Sequence, residues 1–254
     1  MPSDKAGLAC VTVTVRCYAE LNDFLPASRR QVAFEADCQS GGSVKDLLEG
    51  LGIPHTQIDL LLVNGEPAGF DARLATGDRI AAYPVLEAFD IAGVSRVRPE
   101  PLRDVRFVLD GHLGRLAAFL RLAGFDCLYG KDADDRELAA ASAAERRILL
   151  TRDLGLLKRR EVTHGHAVRE TNPERQLQEV FARFHLQRLA RPFTRCMRCN
   201  ALLHPAGRDD VADKVPPRSL LHFDEFLACD GCGRVYWKGS HYKRLVEVLE
   251  KGQA

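Results

Sequence analysis

Two pairs of cysteines near the end of the chain restrict the fold more than any other feature of the sequence. Cys196 and Cys199 form one C-x-x-C motif, and Cys229 and Cys232 form another after a gap of 29 residues. Four thiolates in two such motifs suit a closed tetrahedral zinc site. A redox dithiol is the alternative, but one motif would be enough for that chemistry. Residues 191–254 contain few aliphatic side chains, so they need a metal site of this kind to stabilise their fold.

The gap between the motifs is longer than in ordinary zinc ribbons, which predicts an inserted loop over residues 201–223. Gly231 and Gly233 allow a tight turn at the second motif. Four further cysteines stand in apolar or mixed contexts and are expected to be small buried side chains; they are Cys10, Cys17, Cys38 and Cys127. A reducing compartment disfavours disulfides in both groups.

The middle of the chain alternates short apolar runs with helical patterns. Within residues 105–190, VRFVLD, FDCLYG and RILLTRD predict strands, and HAVRE predicts a fourth. Between them, helical spacing is shown by Leu113, Leu116, Ala117 and Leu120, with Gly124 as the stop. Asn172 caps the last helix and Pro173 takes its first position. Strands that alternate with helices predict a parallel α/β sheet with right-handed crossovers.

The front of the chain carries the pattern strand, strand, helix, strand, strand over residues 8–90. LACVTVTVRCYA can pair with RRQVAFEA as a hairpin. Ser43 can cap a helix with one apolar face made by Val44, Leu47, Leu48 and Leu51. This order resembles the β-grasp fold, and VNGEPAGFDARLATGDRIAAYP is similar to sulfur carriers of the ubiquitin-like group. Those carriers use a free C-terminal Gly-Gly, which this segment lacks, so docking is expected here rather than sulfur transfer.

Acidic residues follow the predicted strands of the middle segment. Asp110 ends the first strand, Asp153 follows the third, and Asp135 starts the helix after the second. Ligands of a parallel sheet bind outside the carboxyl ends of its strands, so these acids share one edge. Converging carboxylates repel unless a cation neutralises them, and oxygen ligands suit Mg²⁺ or Mn²⁺. The set therefore predicts a metal site.

Each acid also has a purely structural interpretation. Asp134 with Glu137 fits a capping box, and Asp132 can belong to a loop. Asp135 can stabilise a helix dipole, and Asp153 can cap the helix of LGLLKRR. Asp110 is the hardest of the acids to explain structurally, because it ends an apolar strand beside a glycine.

Basic residues suggest contacts with a phosphate-rich partner. Residues 1–100 hold 9 Lys and Arg against 14 Asp and Glu, whereas the rest holds 27 against 21. Arg152 is a candidate phosphate clamp, or it orients the neighbouring Asp153 through a salt bridge. Candidate RNA contacts are Arg115, Lys158, Arg159, Lys238, His241, Lys243 and Arg244. The alternative is that these cations are solvated and that Trp237 packs inside the tail.

The chain resembles the Mut-seven C-terminal RNase family across nearly its whole length. The resemblance is carried by FVLDGHLGRLAAFLRLAGFD, DDRELAAAS, RILLTRDLGLL, RCMRCN and CDGCGRVYWKGSHYKRL. It implies a PIN-like nuclease domain, a zinc ribbon and, in front, a ubiquitin-like domain. It also implies metal-dependent RNA cleavage, with Asp110, Asp135 and Asp153 as the motif-matched acids. A fourth PIN-type acid is not matched, since the loop after HAVRE offers Glu170 and Asn172.

These observations predict an α/β chain of three domains and one linker. The expected parts are a β-grasp domain over residues 1–92, a linker over 93–104, a PIN-like domain over 105–190 and a zinc ribbon over 191–254. The expected function is a Mg²⁺- or Mn²⁺-dependent RNase with RNA as partner and a protein partner for the front domain. A non-catalytic RNA- or protein-binding adaptor is the alternative. No apolar run reaches the roughly 20 residues of a membrane helix, and no signal peptide is recognised, so a cytoplasmic protein is expected.

Overall fold

A computed structural model describes residues 10–84, 95–97 and 104–251, with the backbone alone for 240, 241, 244, 245, 248 and 251. Over these residues the chain forms three sheets, of five, four and three strands. Contacts between Cα atoms divide it into two compact units. No helix in the described ranges combines the length and apolar character that crossing a membrane requires.

The front domain is a five-stranded sheet packed on one helix. Its strands are β1 Cys10–Cys17, β2 Phe34–Gln39, β3 Leu60–Val63, β4 Glu66–Pro67 and β5 Arg79–Tyr83, and its helix is α1 Val44–Gly50. The strand order is β2-β1-β5-β3-β4, with β1 and β5 parallel and the other pairs antiparallel. This arrangement confirms the ubiquitin-like β-grasp prediction.

Local chemistry explains how the front domain forms. Residues of β1 alternate between the core and solvent, so Val13 and Val15 are buried. Ser43 and Asp46 form the capping box that starts α1. Asn64 and Gly65 take positive φ angles of 53° and 91°, as a tight hairpin turn requires. Cys17 is buried as expected, but the expectation was wrong for Cys10, which is exposed at the start of β1.

The first unit also contains residues from the middle of the chain. It comprises residues 1–103 together with 153–166, and we call the second part the α4 segment after its helix, α4 Leu154–Leu157. Leu156 and Leu157 are buried. Of the predicted linker, residues 95–97 and 104 are described, and Val97 lies in the core of the front domain.

The middle sheet has four strands in the order β7-β6-β8-β9. They are β6 Arg106–Leu109, β7 Asp126–Tyr129, β8 Ile148–Thr151 and β9 Gly165–Ala167. Both β7 and β8 pair with β6 in parallel, which confirms the α/β prediction. All four residues of β8 are buried, as in a central strand covered on both faces.

Helices follow these strands at the predicted places. They are α2 Gly114–Leu122, α3 Asp135–Glu145 and α5 Pro173–Phe184. The Asn172 side chain accepts from the amides of Glu174 and Arg175 at the start of α5. Leu116 and Leu120 are fully buried on α2. The apolar faces of these helices therefore contribute to the core of the second unit.

The C-terminal region is a three-stranded sheet with two helices. Its elements are β10 Leu203–Ala206, α6 Pro217–His222, β11 Phe226–Cys229, β12 Val235–Trp237 and α7 Ser240–Lys251. The sequence predicts a loop over residues 201–223, and this was wrong, because β10 and α6 lie there. Val211 and Val215 are buried against Phe226, and Trp237 packs on this cluster. The insertion therefore has a small core of its own.

Gly124, which follows α2, lies against other backbone atoms of the second unit, and a substitution there tests how close this packing is. Its φ is +98°, and an added Cβ would lie 2.2 Å from the Arg191 carbonyl oxygen. Gly77 has a similar φ of +89° with nothing within 4 Å, so it is the matched control. We expect Gly77→Ala to lower the unfolding free energy by about 1–2 kcal/mol from backbone strain alone. Gly124→Ala should cost clearly more, as measured by calorimetric unfolding, and equal costs would contradict the close contact.

Candidate functional site

The four cysteines of the two C-x-x-C motifs come together at one point. Their sulfur atoms all lie within 4.8 Å of one another. Cys196 Sγ is 3.5 Å from Cys232 Sγ, and Cys199 Sγ is 3.3 Å from Cys229 Sγ. Sulfurs bound to one tetrahedral zinc ion at ~2.3 Å lie about 3.8 Å apart. The cluster therefore fits a four-thiolate metal site and is compatible with a zinc ribbon.

The two motifs have the same backbone turn. The amide of Asn200 donates to the Cys196 carbonyl at 3.0 Å, and the amide of Gly233 donates to the Cys229 carbonyl at 2.8 Å. Asn200 and Gly233 have φ angles of 70° and 69°. Asparagine and glycine are the residues that adopt this conformation most readily. Each turn thus brings the two sulfurs of its motif together.

Tyr236 helps to lower the pKa of Cys196, one of the four clustered cysteines. Its hydroxyl lies 3.1 Å from Cys196 Sγ. Burial raises the pKa of Cys196, but hydrogen bonds from Tyr236 and from the amides of Cys199 and Arg198 outweigh it and lower the pKa to about 6. Burial instead raises the pKa of Cys229 to about 12. Tyr236 therefore stabilises the thiolate form of Cys196, which is the form that binds metals.

A buried arginine joins the first motif to the middle sheet. Arg121, on α2, is 6% exposed. Its guanidinium donates to the carbonyl of Cys127 on β7 at 2.8 and 3.0 Å, and to the carbonyl of Arg198 at 2.8 Å. The side-chain carbonyl of Asn200 accepts from the Cys127 amide at 3.0 Å. The four-cysteine cluster is therefore fixed to the edge strand β7.

Asp126 strengthens the same junction. It accepts from Arg147 Nη1 and from the Asn200 side chain, each at 2.8 Å. Burial acts to raise the pKa of Asp126, but the hydrogen bonds from Arg147 and Asn200 and the charges of Arg147 and Arg195 lower it. The carboxylate therefore stays charged and links β7 to Arg147, just before β8, and to Asn200, just after the first cysteine motif.

Asp110 is a buried carboxylate at the carboxyl end of β6. It is 8% exposed and caps the following turn by accepting from the His112 amide at 2.9 Å. The Thr151 hydroxyl and the Arg152 amide, both at the end of β8, donate to its other oxygen. All three of these donors, two backbone amides and one hydroxyl, are neutral groups. A buried negative charge is costly until a cation approaches it, so Asp110 suits metal binding.

The other predicted acids lie at helix starts and are exposed. Asp153 accepts from the Gly155 amide at 2.6 Å and caps α4. Asp135 is the first residue of α3, preceded by Asp134, which forms the predicted capping box with Glu137. Among the described residues, the four cysteines are the single group of three or more candidate ligands with close ligand atoms. Asp110, Asp135 and Asp153 do not form a second group of this kind among the described residues.

Several of the predicted RNA-binding cations have partners within the chain. Lys158 donates to the Glu49 carbonyl at 2.7 Å, and Lys238 pairs with Glu225. Arg159 lies 3.9 Å from Glu161. Three further predicted cations, Arg115, Arg152 and Lys243, are exposed. The side chains of His241 and Arg244 lie outside the described part of the chain.

Family models account for nearly the whole chain. The Mut7-C RNAse domain model matches residues 105–249. The chain belongs to this family. The Mut7-C ubiquitin model matches residues 10–90. Both matches confirm the resemblance drawn from the sequence motifs, and the Mut7-C RNAse domain indicates a nuclease-type function. Its match runs without a break from β6 into α7, across both the parallel sheet and the four-cysteine cluster.

The front domain is also similar to solved structures. A crystal structure of small archaeal modifier protein 1 from H. volcanii is 21% identical, with a TM-score of 0.26, and the match covers 30% of this chain and 99% of that one. A structure of SAMP1 from Haloferax volcanii is 21% identical, with a TM-score of 0.25, covering 31% and 99%. No curated protein matches the Mut7-C chain.

Sequence reasoning missed several residues that build the Mut7-C sites. Thr151 binds Asp110, Tyr236 binds Cys196, and Arg121 with Asn200 fixes the first cysteine motif. For Asn200 a signal existed, because it follows its C-x-x-C motif as Gly233 follows the other. For Thr151 and Arg121 none existed, because their partners are distant in the chain.

The hydroxyl of Tyr236 can be tested as a support for zinc binding. We expect about one zinc per chain, lost in Cys196→Ser. Tyr236→Phe should weaken zinc binding by about ten-fold, because a second-shell donor to a ligand is removed. Tyr242→Phe is the control, since that ring stacks on Phe193 at 4.2 Å, away from the thiols. Competition with a chromophoric chelator measures both variants, and equal affinities for both would refute the support.

Proposed function

We propose that this Mut7-C protein is a metal-dependent ribonuclease that hydrolyses RNA phosphodiester bonds. The observation that carries the proposal is Asp110, a buried carboxylate with neutral donors at the end of a central strand in an RNAse-family domain. Asp110, Asp135 and Asp153 would hold Mg²⁺ or Mn²⁺. Such an ion supplies charge neutralisation at the phosphate and activates water.

Residues of the chain would prepare Asp110 for this role. The Thr151 hydroxyl and the Arg152 amide bind Oδ2, and the His112 amide binds Oδ1, so the carboxylate has a fixed orientation. A fixed carboxylate loses little conformational freedom when a ligand binds. Asp110 follows β6, and two of its donors lie at the end of the neighbouring strand β8. This support from two paired strands favours a preorganised site.

Exposed basic side chains of the second unit suit an RNA backbone. Arg152 follows β8 directly and is exposed, and its guanidinium can donate two hydrogen bonds to one phosphate. Arg115 and Lys243 offer further positive charge. The remaining proposed contacts are Arg159, Lys238, His241 and Arg244. The proposed structural zinc would stabilise the fold of the C-terminal region, and a protein partner is proposed for the ubiquitin-like domain.

A non-catalytic adaptor is the second candidate. It is favoured by the helix caps that Asp153 and Asp134 form, because capping alone explains an acid at those positions. In that case RNA binding would persist when Asp110, Asp135 and Asp153 are all changed to Asn, and no metal-dependent cleavage would occur in the unmodified chain.

Cleavage of RNA by the Asp110→Asn variant tests the nuclease. We expect Mn²⁺-dependent cleavage of single-stranded or structured RNA to fall by at least about 100-fold, since an ionised metal ligand is lost. Asp134→Asn is the control, because asparagine also caps helices and the charge lost is one residue from Asp135. Circular dichroism checks that both variants fold. Equal cleavage by Asp110→Asn and the unmodified chain would show that the site is elsewhere.

A further inference from the structure

The α4 segment, residues 153–166, is bound to the front domain through its main chain. His55 Nε2 lies 2.7 Å from the Val162 carbonyl, and Gln57 Nε2 donates to the Gly165 carbonyl at 3.3 Å. In the other direction, Lys158 Nζ donates to the Glu49 carbonyl at 2.7 Å. These contacts join residues more than 100 positions apart in the sequence.

These contacts are formed in a protected environment. His55 and Gln57 are 7% and 4% exposed, and Val162 is fully buried. The other ring nitrogen of His55, Nδ1, lies 2.6 Å from Glu49 Oε1, so the imidazole is held on both sides. Both donors lie on the single 3₁₀ turn His55–Gln57, after α1. A hydrogen bond that water cannot reach is exchanged less readily than an exposed one.

The α4 segment follows β8 in the chain, with Arg152 between them. The α4 segment begins with Asp153, and Asp153 follows Arg152, whose amide binds Asp110. Leu156 and Leu157, on the first turn after Asp153, are also buried. Asp153 thus begins a segment that is hydrogen-bonded to the front domain.

We propose that the ubiquitin-like domain is a clamp for the α4 segment, and that His55, Gln57 and Lys158 are positioning residues for Asp153. The activity part of this proposal rests on the proposed nuclease function. The clamp itself does not rest on that function, because it concerns only how firmly residues 153–166 are held. The clamp gives the front domain a structural role within its own compact unit, in addition to any binding of partners.

Hydrogen exchange in the full chain tests the clamp directly. Lys158→Met removes the ammonium and keeps most of the stem, and Gln57→Leu removes the other donor. Loss of one hydrogen bond should raise amide exchange within residues 154–166 by about five-fold. Lys158→Arg should restore protection, because it restores a cationic donor. Thr12→Val is the control, since it removes a front-domain hydrogen bond to Asp37 at 2.7 Å that does not touch the segment.

Kinetics separates positioning from simple packing. In the two clamp variants we expect kcat for RNA cleavage to fall by about ten-fold, with KM nearly unchanged, because a displaced ligand slows the reaction more than binding. Thr12→Val should leave both constants unchanged. Unchanged exchange in Lys158→Met and Gln57→Leu would overturn the clamp whatever the activity. Faster exchange with an unchanged kcat would overturn the positioning role. If the unmodified chain cleaves no RNA, the nuclease proposal fails and the exchange data alone decide the clamp.

Discussion

The buried guanidinium of Arg121 is the interaction on which the second unit depends. It is a cation on the apolar side of α2, and it is bound by main-chain carbonyls of β7 and of the first cysteine motif. A buried charge is tolerated only when its donors are satisfied, so α2, β7 and the motif must keep their positions together. The four-cysteine cluster is consequently an integral part of the nuclease-type domain, in agreement with a family match that spans both.

The carboxylate of Asp110 depends on a different kind of support. Thr151 ends β8 and Arg152 follows it, 41 and 42 positions after Asp110 in the chain, and they bind Asp110 because β6 and β8 are parallel neighbours. The same register places the ends of both strands at one edge, where α/β proteins bind ligands. The α4 segment belongs to the compact unit of the front domain. The ubiquitin-like domain thereby packs a segment that begins with a proposed metal ligand.

Much of the fold could be predicted from local patterns. Alternation in β1, the capping box at Ser43, the Asn64–Gly65 turn and the apolar run of β8 each specify their own element, because the cause lies within a few residues. The insertion over residues 201–223 was predicted wrongly as a loop. Its short apolar stretches have no clear period, and β10 and α6 are stabilised by a core that only the folded sheet provides.

The sequence by itself determined the family, most of the element order, the four cysteines of the candidate metal site and the acids that follow the strands. These features can be recognised from the spacing of residues along the chain, because each depends on neighbouring residues or on a short motif. The tertiary structure alone decided which donors surround Asp110, that Arg121 and Asn200 attach the cysteine cluster to β7, and that His55 and Gln57 bind the α4 segment. Each of these contacts joins residues roughly 40 to 110 positions apart. Hydrogen-bond partners at such separations leave no periodic trace in a single sequence, because only the folded topology brings them within reach.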